Sequence, residues 1–426
     1  MTYAYSEQKQ TDSPKGDAPP KHEVRAFPVT IILGSQYLIA KGDRQETVYD
    51  FRSRRIIRLN LVNNLYSDRS LYSDIGFRVS ELVNRMGIDA ALKATKLGVQ
   101  GRFDNESCLS LEMPPGFRQT EPDPVIERTK LGATGWEFCH DGHAAVEFVP
   151  AIAQIPGLFY RRFGGFLRHE CCIHPEIIRE ITASGQIPQR LVVRWHYWTV
   201  STTSSFELTS VAYAEKDSTV LPTDATPETP SGALGRVLAL VRDEGRSTHR
   251  PTRSEAGQFA DQAIAEKKYL DAGLALIEYG LQSGEQPADE MRAHSKEFQG
   301  DESWRRYLAS FDQSTKEACQ NSLKVNGTLD RTKLKKGYML DLQRADLLMQ
   351  VGHAKEAEEL FLHVLEANPF LTGVYHDLGQ LYCKEFEQST AWVCFDTGRM
   401  LYPSHPIMRD IDALEQRLRH DFPEYF

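Results

Sequence analysis

The sequence predicts an α+β protein: an N-terminal antiparallel sheet with one or two helices on one face, followed by a C-terminal α-helical hairpin array. Three observations carry this. Residues 29–66 hold short runs of β-forming residues broken at hairpin spacing, residues 191–213 alternate apolar and polar side chains, and the last third matches itself at one fixed spacing. With 426 residues, 41% hydrophobic and 26% charged, the chain is long enough for more than one buried core.

Residues 1–28 are rich in Lys, Asp, Gln, Ser and Pro and carry few large apolar groups, so they read as a disordered tail that cannot offset its ordering entropy. The α+β domain is assigned to 29–213. Its β-runs are Thr30 to Ile32, Gln36 to Ala40, Thr47 to Phe51, Ile56 to Leu61 and Leu65-Tyr66. Lys41-Gly42-Asp43, Arg52-Ser53-Arg54 and Asn63-Asn64 stand between them as turn residues of a β-meander. Behind a Ser73-Asp74 N-cap, Ile75, Val79, Leu82 and Met86 recur at helical spacing and stop at Gly87, and Asp89 to Lys96 predicts a second short helix.

Residues 99–135 are poor in periodicity and rich in proline turns, which predicts loop with short strands. An apolar stretch from Ala144 to Phe159 leads through Arg161-Arg162-Phe163-Gly164-Gly165 to a helix over His174 to Ser184. Pro175 suits its first turn, and Gly185 its end. Leu191 to Val200 and Phe206 to Tyr213 alternate as strands, with Ser201-Thr202-Thr203-Ser204 read as the turn between them. The meander and this late hairpin together resemble a lipoprotein-carrier (LolA-like) half-barrel, which implies an apolar ligand held between sheet and helices.

Pro222, Pro227 and Pro230 among Thr and Glu mark a linker at 214–251, interrupted by the apolar stretch Leu234 to Val241. Helical patterns then run over 252–426 from a capping box, Thr252 with Glu255. Here Ala345, Leu348, Ala357, Phe361 and Pro369 are answered, each at the same offset along the chain, by Gly379, Tyr382, Ala391, Phe395 and Pro403. Small residues let helix backbones approach to about 8 Å, large apolar ones fill the remaining space, and proline ends the second helix. This pattern resembles the tetratricopeptide repeat (TPR) family over about 70 residues, and over about 170 with the degenerate stretches Ala260 to Gln282 and Ser303 to Asn326. The terminal helix, Ile407 to Arg419, reads as a solvent-facing cap.

The TPR resemblance implies a groove that binds a protein or peptide partner, and places Gln343, Asp346, His376 and Gln380 on the first helices as the residues to face it. The Lys and Asn set that some family members use to clamp a terminal carboxylate is not evident at the matching positions. An array that docks on the N-terminal domain of its own chain is the alternative.

Two other clusters carry possible chemistry. Cys139, His143, His169, Cys171, Cys172 and His174 are the ligand types that zinc takes in a tetrahedral shell. His169 and His174 are five apart, however, and diverge by about 140° on a helix of ~3.6 residues per turn, so buried residues at a strand–helix junction are the competing expectation. Arg161, Arg162 and Arg168 are candidates to hold a phosphate or carboxylate.

A net charge of -9 opposes general nucleic-acid binding. Seven scattered cysteines are not a disulfide framework, and no stretch approaches the roughly 20 apolar residues of a membrane span. The first residues lack the apolar core of a secretory signal, so the chain reads as cytoplasmic. Phosphate-loop, dinucleotide, hydrolase-elbow and kinase motifs are absent. The leading expectation is therefore a non-enzymatic adaptor or assembly factor without a cofactor. A metal-dependent enzyme or metal-binding protein using 139–174, and an apolar-ligand carrier built on the sheet, are its rivals.

Overall fold

The computed structural model describes residues 1–11, 21–75, 126–140, 144–197, 200–213, 225–228, 231–244, 252–385 and 387–426. The described residues of Met1–Ile75, Glu112–Glu228 and Arg417–Phe426 cluster into one compact unit, and those of Thr229–Gln416 into another. The first unit is a sheet with helices and the second is helical, which is the α+β architecture expected. Among the described residues no helix is long and apolar enough to cross a membrane.

Among the described residues the first unit holds twelve strands: β1 (Thr2–Thr11), β2 (Lys21–Leu33), β3 (Tyr37–Lys41), β4 (Gln45–Asp50), β5 (Arg55–Asn60), β6 (Leu65–Ser70), β7 (Ile126–Leu131), β8 (Gly135–His140), β9 (Ala144–Gln154), β10 (Gln186–Tyr197), β11 (Val200–Ser210) and β12 (Thr226–Pro227). They form one sheet in the order β12-β6-β5-β4-β3-β2-β1-β11-β10-β9-β8-β7. Every pairing is antiparallel except β12 on β6. The meander expected from residues 36–66 is present as β3 to β6, with Arg54 (φ 58°) and Asn64 (φ 56°) taking the left-handed conformations of its turns.

Between β9 and β10 the chain forms α1 (Gly157–His169) and α2 (Pro175–Ala183), which cover one face of the sheet. Phe163, Phe166 and Leu167 of α1 and Ile177, Ile178 and Ile181 of α2 are buried against Ile31, Leu38, Tyr49, Ile56, Phe138, Phe148, Leu191 and Phe206. Truncating Phe163 or Phe166 to Ala would cost about 3–5 kcal/mol. Alternation along the strands puts charges on the opposite face, where Arg190 pairs with Glu207 (3.0 Å) and Arg194 with Glu147 and Glu137.

Helix α2 starts and stops as the sequence indicates. The Nδ1 of His174 accepts from the Glu176 amide, Pro175 fills the first position, and Gly185 turns at φ 68° with its carbonyl held by the Tyr160 hydroxyl at 3.0 Å.

Three expectations are corrected in this unit. Residues 1–28 are not a tail throughout, because Thr2–Thr11 pairs with β2 on one side and β11 on the other, near the middle of the sheet. Its polar composition misleads, since one face needs only Tyr3, buried, and Tyr5, stacked between Phe27 (4.9 Å) and Phe206 (4.8 Å). Ser201 to Ser204 are not a turn but part of β11, with partners on both sides. Residues 71–75 are already helical, and the Tyr72 amide bonds the Ser70 hydroxyl, so that helix begins before Ser73-Asp74. The helices expected over Ile75 to Met86 and over Asp89 to Lys96 fall beyond Ile75 outside the described residues.

The helical unit opens with α3 (Gly232–Glu244), inside the stretch read as a linker. Its apolar Leu234, Val237 and Val241 are buried and Arg236 pairs with Glu366 at 2.9 Å. Then follow α4 (Arg253–Ala265), α5 (Tyr269–Ser283), α6 (Ala288–Ala293), α7 (Ser295–Gly300), α8 (Glu302–Ala309), α9 (Lys316–Gly327), α10 (Tyr338–Val351), α11 (Ala354–Ala367), α12 (Thr372–Lys384), α13 (Gln388–Leu401) and α14 (Met408–Asp421). The capping box of Thr252 and Glu255 is formed as expected.

The self-match is visible in the helix limits themselves. The offset that relates Ala345 to Gly379 also relates the start of α10, Tyr338, to the start of α12, Thr372, and it carries both ends of α11 onto both ends of α13. Ala345, Ala357, Phe361, Ala391 and Phe395 are fully buried at the crossings, and a Cβ on Gly379 would lie 2.4 Å from Phe395.

Helix α5 departs from a simple stack. Its Asp271 carboxylate accepts from the Lys335 and Lys336 amides (3.0 and 2.7 Å) ahead of α10. Glu278 accepts from the Tyr338 hydroxyl and from Asn368 (2.6 Å), and pairs with Lys336 at 2.5 Å. Leu281 lies against Gly373 at the start of α12, and Gly284 against His405 and Pro406 ahead of α14. One helix thus crosses the entry points of three successive first helices, and being contacted all round it is buried along most of its length.

The last ten residues belong with the sheet unit rather than capping the array. The Phe426 main-chain oxygen accepts from Arg162 (3.1 Å) and that of Tyr425 bonds the His169 Nε2 (3.1 Å), while Tyr72 packs on the Phe426 ring.

Candidate functional site

The repeat sets the register of the first helices. Gln343 and Asp346 lie one turn apart on α10, and the residues at the matching positions of the next repeat, Asp377 and Gln380, lie one turn apart on α12 beside His376. The two helices pack on each other, which sets these residues on adjacent first helices.

His376 is buried and satisfied on both ring nitrogens: Nδ1 is 3.0 Å from the Asp377 carboxylate and Nε2 is 3.1 Å from the Gln380 amide nitrogen. The assignment that meets both contacts has Nδ1–H donating to Asp377 and Nε2 accepting from Gln380. Its ring also packs at 6.1 Å from Phe395 of α13, which ties the imidazole to the repeat core. Gln343 is 3% exposed and donates from Nε2 to the Ser310 carbonyl at 2.8 Å, while its Oε1 is buried without a partner.

Asp346 differs from its neighbours. It makes no hydrogen bond or ion pair to the described residues, although it is more than half buried. Burial first, and then the Asp377 charge, push its carboxyl well above the usual carboxylate range. Burial first, and then the Asp346 charge, also push up the ionisation of Tyr307 on α8. Beside Tyr307 the surface turns apolar: Leu308 is 51% exposed, and Phe311, 47% exposed, sets its ring edge on Tyr307 at 5.0 Å. Two of the four residues expected to face a partner, Gln343 and His376, are therefore internal supports. Asp346 and Gln380 reach the surface.

Asp377 escapes a reading of residue types along the first repeat alone. Its signal lies in the self-match, since Asp377 occupies in the second repeat the position that Gln343 holds in the first. Tyr307, Leu308 and Phe311 have no such signal, because α8 lies in a stretch without consensus.

The other candidate clusters are used differently. Arg161 is exposed. Arg162 donates to the Ser35 carbonyl (3.1 Å) and to Phe426, over the Phe51 ring at 4.2 Å. Arg168 donates to the Ile173 carbonyl (2.9 Å) and stacks on Tyr425 at 4.7 Å. Main-chain carbonyls and aromatic rings engage Arg162 and Arg168.

Of the Cys/His set, His143 lies outside the described residues. His169 packs on Tyr49 at 4.5 Å and burial pushes its pKa down to about 4, while His174 caps α2. Cys139 is on β8, and burial pushes the Cys171 thiol up. Cys172 turns the chain at φ 53°. Among the described residues, no three His, Cys, Asp or Glu side chains are arranged to hold a metal ion.

No protein-family model matches this chain, and a comparison with curated proteins gives no match.

Proposed function

We propose that the protein is a non-enzymatic adaptor that binds a protein or peptide partner through its TPR-like helical unit, on the face made by α8, α10 and α12. The observation that supports this most is the placement of Asp346. A half-buried carboxylate without a partner, raised further by the charge of a second carboxylate, weakens the fold, and such local conflicts are kept at sites where a ligand resolves them. Gln380 and Asp377, supplied by the next repeat, complete a surface whose supports, His376 and Gln343, are locked by internal hydrogen bonds. Rigid positioning of a few polar groups beside exposed Leu308 and Phe311 suits recognition of a side chain and its apolar neighbour.

The test is binding of the full chain to an array of short immobilised peptides of random sequence. The wild type is expected to select a reproducible subset, and Gln380→Ala with Asp346→Asn is expected to lose it. Selection unchanged in the double variant would remove the proposal.

A further inference from the structure

We infer that this face receives a basic side chain, Lys or Arg, of an extended peptide whose neighbouring apolar residue packs on Leu308 and Phe311. The inference rests on the partner-binding reading above and adds the chemistry of the ligand.

Two independent features converge on a cation. The first is charge. The Asp377 charge acts on Asp346 from the adjacent helix α12, and only Asp377 has an internal donor, the His376 Nδ1–H at 3.0 Å. The described residues place no Lys or Arg on Asp346, although most other part-buried carboxylates of this unit are paired: Asp341 with Arg331 (2.7 Å), Glu415 with Arg399 (2.7 Å) and Glu278 with Lys336. The second is the Gln343 Oε1, buried, unpartnered and one helical turn from Asp346 on the same side of α10. Its orientation is set by the Nε2 donation to Ser310, so the free atom is an acceptor.

A carboxylate and an amide oxygen, both lacking donors, are complementary to an ammonium or guanidinium, which carries donors only. A bare metal ion fits less well, because no set of three ligating side chains is assembled here among the described residues. The apolar part follows from the tie between the end of α8 and α10: Gln343, one turn from Asp346, donates to the Ser310 carbonyl, and Ser310 stands between Leu308 and Phe311 in the chain. A peptide whose basic residue reaches Asp346 therefore passes over exposed apolar surface.

The test uses the full chain and two arrays of short peptides. In one, a central Lys or Arg and an adjacent Leu or Phe are constant and all other positions vary; in the other, Glu replaces the basic residue. Wild type is expected to favour the basic array by about tenfold or more, with binding weakened by salt, and Asp346→Asn to lose that preference. Glu359→Gln, an exposed acid on α11, serves as the control and is expected to bind like wild type. Leu308→Ser is expected to weaken the basic peptides without changing the basic-over-acidic ratio.

Equal binding of both arrays by wild type, or a basic preference that survives in Asp346→Asn, overturns the inference. If binding is equal on the two arrays but lost on Gln380→Ala, partner binding stands and only the ligand chemistry falls. If neither array nor a random one is bound, both fall. Saturable binding of Ca2+ alone that Asp346→Asn removes, without peptide preference, also overturns it.

Discussion

Replacing Asp346 by Asn is expected to make the protein more stable at neutral pH. The substitution keeps the shape of the side chain and removes a charge that the fold leaves unpaired against Asp377. An unpartnered, partly desolvated group costs more when charged than when neutral, and the amide stays unpartnered, so the gain is the difference alone, about 1 kcal/mol for a side chain that still reaches solvent, or on the order of 2–4 °C in melting temperature for a unit of this size.

The sign depends on pH. Because the folded carboxyl ionises at higher pH than the unfolded one, its contribution to stability is fully present below the ordinary aspartate range, where both states hold the proton. It is lost as pH rises through the folded value. The neighbouring charge that acts on Asp346 is that of Asp377, and Asp346 in turn raises the ionisation of Tyr307. Urea unfolding of wild type and variant from pH 3.5 to 8, followed by far-ultraviolet circular dichroism, should give coincident curves at the acid end and a more stable variant at pH 7. A variant equal to or weaker than wild type at pH 7 would refute the idea that Asp346 is a strained, unsatisfied acid.

Other substitutions probe the frame that holds the site. Glu278→Ala strands Lys336, Tyr338 and Asn368 around α5 and should lower stability by about 3–5 kcal/mol in chemical denaturation; a loss under about 1 kcal/mol would mean that α5 does not tie the array together. Gly379→Ala drives a methyl to 2.4 Å from the Phe395 ring and should cost about 1–3 kcal/mol, whereas Gly300→Ala, which meets nothing within 4 Å, should cost far less. His169 has a depressed folded pKa of about 4 against 6.5, so its contribution to the sheet unit is complete above pH 6.5 and declines as pH falls toward 4. Histidine titration by NMR should find one imidazole still neutral at pH 5, and its absence would contradict the burial of that ring against Tyr49.

Much of the frame was legible because it follows local periodicity. The turns at Arg54 and Asn64, the Pro175 start of α2 and the capping box at Thr252 are short-range devices, and each occurs where its residues predict. The self-match of the last third located α10 to α13, since small and large side chains at the crossings must recur wherever the hairpin recurs.

What the sequence hid depends on distant partners. Strand β1 has only Tyr3 and Tyr5 as aromatic side chains and is held by main-chain bonds to β2 and β11, to which composition is blind. The crossing of α5 over the entries of α10, α12 and α14 rests on Asp271 and Glu278, two acids that look like solvated surface until Lys335, Lys336, Tyr338 and Asn368 are brought to them. The candidate residues divide in the same way: Gln343, Asp346, His376 and Gln380 are alike in type, but only packing separates Gln343 and His376, which are buried and hydrogen-bonded, from Asp346 and Gln380, which reach the surface.

Hydrogen–deuterium exchange of the full chain, with and without the tightest peptide from the basic array, tests the central claim most directly. The account predicts added protection in α8, α10 and α12 around Tyr307, Asp346 and Gln380, absent in Asp346→Asn and absent from β1 to β12. Protection confined to the sheet, or present in α10 and α12 but unchanged by Asp346→Asn, would contradict it.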